Sequence, residues 1–108
     1  MDFQQIIQRA RHVRTHYAAF EEKKYGNSWT NEEIALGFMG DVGDLAKLIV
    51  AENGRREIPN STEKLGHELA DCLWSVIILA DAHGIDIEHT FLKTMDELED
   101  HLKGQIHA

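Results

Sequence analysis

Apolar residues recur at three- and four-residue steps along most of the chain, and β-branched residues nowhere alternate with polar ones, so the sequence favours helices over strands. Phe3, Ile6, Ile7, Ala10, Val13, Tyr17 and Phe20 define a first amphipathic helix, which should stop near Tyr25-Gly26-Asn27. Thr30-Asn31-Glu32-Glu33 has the form of a capping box and opens a second helix carrying Ile34, Phe38, Val42, Leu45 and Ile49, with Gly54 placed to end it. Residues 55–61 contain the only proline and make the one long connection. Ser61 or Thr62 is expected to cap a third helix through Leu65, Leu69, Leu73, Val76, Ile77 and Ala80, ending at Gly84. Asp86 should cap a fourth, with Ile87, Phe91, Met95, Leu98 and Leu102 on one face. Short connections between four such helices predict an all-α bundle, and 108 residues suit one domain spanning 1–108.

Two of these helices work against their own stability. The second carries Gly37, Gly40 and Gly43 in its interior, each costing about 1 kcal/mol relative to Ala. On its wheel Asp41 and Asp44 lie about 60° apart, flanked by those small residues. The third helix is apolar around most of its circumference between Leu65 and Ala80, with Glu68, Asp71 and Ser75 as its main polar strip. Such a helix is expected to be buried on nearly all sides. A single layer of helices is too thin for that, so a partner subunit should complete it, as a homodimer or homotetramer.

A carboxylate in apolar surroundings has to be paired, hydrogen-bonded, protonated or metal-bound. Lysines are scarce here: Lys47 and Lys64 alone fall within these two helices. Acids at i and i+3 on two helices can converge four carboxylates, a hard-oxygen set suited to Mg²⁺ or Mn²⁺. Mg²⁺ keeps several waters and bridges carboxylates to substrate phosphates, so such a site could orient a triphosphate and activate a water. The alternative is that the same acids are ordinary solvated or salt-bridged groups, since acids three apart are common on helix faces.

Net charge bounds the partners. At −8, with 11 Lys and Arg, the chain has no basic face for a nucleic acid polymer. A divalent cation would reverse the local sign of charge and admit a small phosphorylated ligand. Cys72 is the sole cysteine, which excludes an intrachain disulfide and fits a reducing cytoplasm. No stretch approaches the length of an apolar span, and the amino terminus lacks the apolar core of a signal peptide, so a soluble, cytoplasmic protein is expected.

Leu36-Gly-Phe-Met-Gly-Asp-Val-Gly-Asp-Leu-Ala-Lys-Leu, followed by His67-Glu-Leu-Ala-Asp-Cys-Leu-Trp, resembles the all-α nucleoside triphosphate pyrophosphohydrolases, the MazG-like and dCTP pyrophosphatase group. The likeness runs roughly from residue 29 to 98 and includes the Gly-Ile-Asp turn before the last helix. It implies a Mg²⁺-dependent hydrolase that cleaves a nucleotide between its α- and β-phosphates, releasing a monophosphate and pyrophosphate. Asp41 and Asp44 fall on the family's first acidic pair and Glu68 and Asp71 on its second, so the resemblance implies that the four are both metal ligands and catalytic groups. Asp replaces Glu at both positions of the first pair, shortening each ligand by a methylene. Trp29 lies near the family's base pocket, where an indole could stack on a nucleobase or serve only as a hydrophobic staple. Relatives tend to carry Lys, Asn or Arg on the last helix for phosphate, so the resemblance implies that role for Lys93, although Leu98, Glu99 and Asp100 follow it here. Two other readings stay open: a catalytically degenerate metal-binding or interaction module of the same fold, and a pyrophosphohydrolase acting on a modified or unusual nucleotide.

Among the remaining residues, Trp74 is expected in core or subunit packing, away from the acids. His67-Glu68-x-x-Asp71 lacks the second His of a zinc helix. His12 and His16, one turn apart, read as solvated.

Overall fold

Capping chemistry sets the helix ends in the computed structural model, which describes residues 1–107. Helix α1 (Phe3–Tyr25) begins at Asp2, whose side chain accepts from the Gln5 N–H while the Gln5 side chain accepts from the Asp2 N–H. It ends at Gly26, held at φ 86°, a left-handed conformation that glycine adopts without steric cost. The expected capping box opens α2 (Asn31–Glu52), with Thr30 and Glu33 satisfying each other's backbone N–H groups. Asp86 caps α4 (Ile87–Ile106) by accepting from the His89 N–H. The four helices and their order agree with the sequence reading, and no strand occurs among the described residues.

The start of α3 (Ser61–Ala82) differs from expectation. Its cap is Asn60, in the left-handed region at φ 56°, and no side chain caps the helix. The Ser61 and Thr62 hydroxyls are engaged elsewhere, donating to Glu52 Oε1 at 2.6 and 2.7 Å. Those bonds, Ser61's first, hold the Glu52 carboxyl below its ordinary range. They also tie the end of α2 to the beginning of α3.

α2 and α3 make the most extensive contact in the chain, and they run antiparallel. Glu52 meets Ser61, Asp41 and Asp44 meet Glu68, and Ile34 meets Ile77 and Ile78. α1 adds Ile7 and Ala10 to the Ile34, Ile77 and Ile78 cluster, with Phe3, Trp74, Leu79 and Ile87 packed around it.

Within one chain α3 is not covered on nearly every side, contrary to its composition. Ile77 and Ile78 are buried, but Leu69 and Leu73 are each 50% exposed and Val76 is 38% exposed. α4 packs only lightly on α3 and buries none of its own residues, leaving Phe91, Leu92, Met95, Leu98 and Leu102 in the open. The shape follows: the radius of gyration is 17.3 Å, against about 13 Å for a compact domain of this length. No helix among the described residues is long and apolar enough to cross a membrane.

Ile77 is 2% exposed and central to the three-helix cluster. Ile77→Ala should therefore cost about 2–5 kcal/mol in urea unfolding. A loss below about 1 kcal/mol would place the stabilising core elsewhere.

Candidate functional site

The antiparallel register of α2 and α3 turns two short acidic patterns into one cluster. Asp41, Asp44 and Glu68 each offer a carboxylate oxygen, and these oxygens lie within 4.8 Å of one another. Asp44 is exposed, whereas Asp41 and Glu68 are half-buried. Asp71, the fourth acid, stands outside this group and meets His67, Nε2 to Oδ2 at 3.2 Å, one turn back on α3.

Burial and neighbouring acids together disfavour the ionised forms of Asp41 and Glu68. Burial pushes the Asp41 carboxyl above its ordinary value, with Asp71 and Asp44 adding to the rise and His67 opposing it. Burial likewise raises Glu68, followed by repulsion from Asp41, Asp71 and Asp44, again with His67 opposing. The Cys72 thiol is pushed up too, by burial and then by the same acids.

The donor set fits a hard divalent cation. All the offered atoms are carboxylate oxygens. Glu68 Oε2 is buried and has no hydrogen-bond partner, an arrangement that leaves a charged acceptor unsatisfied unless a cation or proton meets it. No ion pair among the described residues takes up Asp41, Asp44 or Glu68. The salt-bridge alternative therefore has no geometry to stand on for these three.

Beside the cluster an open cleft of about 520 Å³ runs between α1, α2 and α3. Asp41 and Asp71 line it, and Trp29, Tyr17, Phe38 and Trp74 contribute aromatic walls. Trp29 shares the cleft lining with Asp41 and Asp71. Its indole lies beside Gly37, where an added Cβ would sit 3.7 Å from Cζ3. Gly40 and Gly43 face open space, so packing within one chain does not require them.

Trp74 departs in part from its sequence reading. It packs on the core and donates from Nε1 to the Ala10 carbonyl at 3.1 Å, yet it also lines the cleft, its ring 5.5 Å from that of Tyr17. Lys93 is exposed on α4 and is not part of the cleft wall. Arg14 and Glu21 of α1 do line it, and sequence reasoning passed over both. Their seven-residue spacing puts them on one face of a helix two turns apart, but charges at that spacing on a first helix read as solvated.

Comparison with known families gives one result: the family model described as the MazG nucleotide pyrophosphohydrolase domain matches residues 29–103. No curated protein and no solved structure matches the chain.

The raised carboxyls carry a signed consequence for stability. Because Asp41 and Glu68 hold protons more tightly folded than unfolded, they favour the fold below the ordinary carboxylate range and that contribution is lost as pH rises through their raised values. In EDTA, thermal unfolding followed from about pH 4 to neutrality should show Glu68→Gln losing less stability than wild type. At neutral pH it should be as stable or more so. A large loss in Glu68→Gln, with or without added divalent cation, would mean that Glu68 is a partner in a structural ion pair.

Proposed function

The chain belongs to the MazG nucleotide pyrophosphohydrolase domain family, and from that premise we propose that residues 1–108 form a single domain that hydrolyses a nucleoside triphosphate to its monophosphate and pyrophosphate with Mg²⁺, or Mn²⁺ in its place. The observation that carries the reading is the convergence of Asp41, Asp44 and Glu68 around a buried, partnerless Glu68 Oε2. These three would hold the ion, with Asp71 close enough to add to the negative field. When bound, a divalent ion of this kind neutralises phosphate charge and lowers the pKa of a coordinated water. The chain's own contribution is to place the acids beside a cleft whose aromatic walls suit a nucleobase. Trp29 offers the stacking face there. A carboxylate of the cluster would take the proton of the attacking water. Lys93 has no part in this reading, being outside the cleft wall.

One observation favours the second reading, a metal-binding module without turnover. Among the described residues, Arg14 is the only Lys or Arg in the cleft wall, and it is paired with Glu21. Incubating the protein with a panel of ordinary and base-modified nucleotides and Mg²⁺ separates the two. The enzyme reading requires Mg²⁺-dependent pyrophosphate and monophosphate in equal amounts, and orthophosphate with a diphosphate would instead indicate cleavage at the γ-phosphate. Absence of any product while Mg²⁺ still raises the melting temperature would establish the non-catalytic module.

The exposed apolar stripes complete the proposal. Leu69, Leu73 and Val76 on α3, and Phe91, Met95, Leu98 and Leu102 on α4, each follow one helix face and stay open in a single chain. A second copy would cover them, giving a cytoplasmic homodimer or homotetramer. Sedimentation equilibrium at micromolar protein should show that association, and Leu73→Glu should weaken it. A folded wild-type monomer at that concentration would remove the oligomer.

A further inference from the structure

The residues matched by the family begin at Trp29, yet the groups that hold Trp29 lie on α1, before that boundary. Glu21 is 4% exposed, and both of its carboxylate oxygens are used. Oε1 accepts from the Trp29 backbone N–H at 2.8 Å and from Arg14 Nη1 at 3.1 Å, while Oε2 accepts from Arg14 Nη1 at 3.2 Å. Arg14 then reaches past the carboxylate, and its Nη2 donates to the Trp29 carbonyl at 3.1 Å. Both backbone polar groups of one residue are thus gripped by a single ion pair.

Stability alone does not account for such a pair. Desolvating two charges costs several kcal/mol per ion, and apolar side chains of similar volume commonly replace a buried pair with no loss or with a gain. What the pair does here is local. Trp29 sits between Gly26, where α1 ends, and Thr30, where the capping box opens α2. Asn27 and Ser28 join Gly26 to it with no helical hydrogen bonding of their own. Without the clamp the Trp29 backbone would be tethered only through its neighbours, and the indole of this residue, 45% exposed as a whole, would sample many positions. With the clamp the indole stays beside Gly37, on the same wall as Asp41.

We propose that Arg14 and Glu21 are positioning residues that fix Trp29 as a preformed wall of the ligand cleft, so that the cost of ordering this aromatic face is met on folding and not on binding. The ligand class, a nucleotide whose base stacks on the indole, rests on the function proposed above. A planar guanidinium fork is needed to reach a carboxylate and a carbonyl together, so a lysine at position 14 would not substitute. Arg14 is committed to this task and is not a phosphate ligand.

The test uses the full chain with Trp74→Phe throughout, so that Trp29 is the sole indole. Arg14→Met combined with Glu21→Leu removes both charges together and leaves neither stranded. Glu21→Gln, which keeps an oxygen for the Trp29 N–H, is the second variant should the first fail to fold. Three quantities are read: melting temperature, the decay of Trp29 fluorescence anisotropy, and quenching of Trp29 by titrated nucleoside triphosphates with Mg²⁺. The proposal expects faster local motion of Trp29 at a nearly unchanged melting temperature in the double variant, a smaller change in Glu21→Gln, and a dissociation constant about three- to tenfold weaker in the double variant. An indole as rigid in the variants as in the parent, or one that moves freely while affinity is unchanged, would overturn it. If the wild-type protein, with Trp74 in place, binds and hydrolyses none of the nucleotides, the nucleotide reading falls by itself, and the anisotropy alone decides whether the clamp orders Trp29.

Discussion

The antiparallel packing of α2 on α3 is the contact on which the rest of the structure depends. It buries Ile34 against Ile77 and Ile78, and the same register brings Asp41 and Asp44 against Glu68. The favourable and unfavourable parts of that contact cannot be separated, because side chains a fixed number of turns from the core pair must meet as well. Apolar burial at one level thus holds like charges together at another. Glu68 shows the conflict most plainly, with one oxygen buried and partnerless and a carboxyl that resists ionisation. Acids that repel one another in this way fit the proposed cation site, where binding would convert the repulsion into attraction.

α1 has a different role from the pair it packs on. Its apolar residues Ile7 and Ala10 close the core, while its charged residues Arg14 and Glu21 face the cleft. One helix therefore both supports the α2–α3 pair and forms a wall of the cleft beside the acids. The match to the MazG nucleotide pyrophosphohydrolase domain begins after α1, yet the cleft in this chain is incomplete without it. At the other end, α4 leaves the turn at Gly84 and carries an apolar stripe that finds little of its own chain to cover.

The helices were legible because their signals are local. A capping box such as Thr30 to Glu33 acts within one turn, and the left-handed stop at Gly26 needs only a residue without a Cβ. The acidic pairs were legible for a related reason: spacing on a helix fixes which side chains share a face. The exception at Ser61 and Thr62 is instructive. Both are sound caps by local chemistry, and they lost that role to a carboxylate on another helix that sequence spacing gives no means of placing.

By itself the sequence determined four helices, their order and the capped starts of α2 and α4, and the two helix faces that carry acid, all consequences of periodicities no longer than two turns. Tertiary structure alone decided which acids meet. Asp41, Asp44 and Glu68 converge while Asp71 turns to His67, because the register of α2 on α3 is set by packing along the whole interface and not at the acids. It decided likewise that Trp74 lines the cleft while packing on the core, and that Arg14 and Glu21 reach the Trp29 backbone. It also decided that the apolar girdle of α3 is only partly covered. Each of these depends on the distance between separate helices, a quantity that a one-dimensional pattern does not contain.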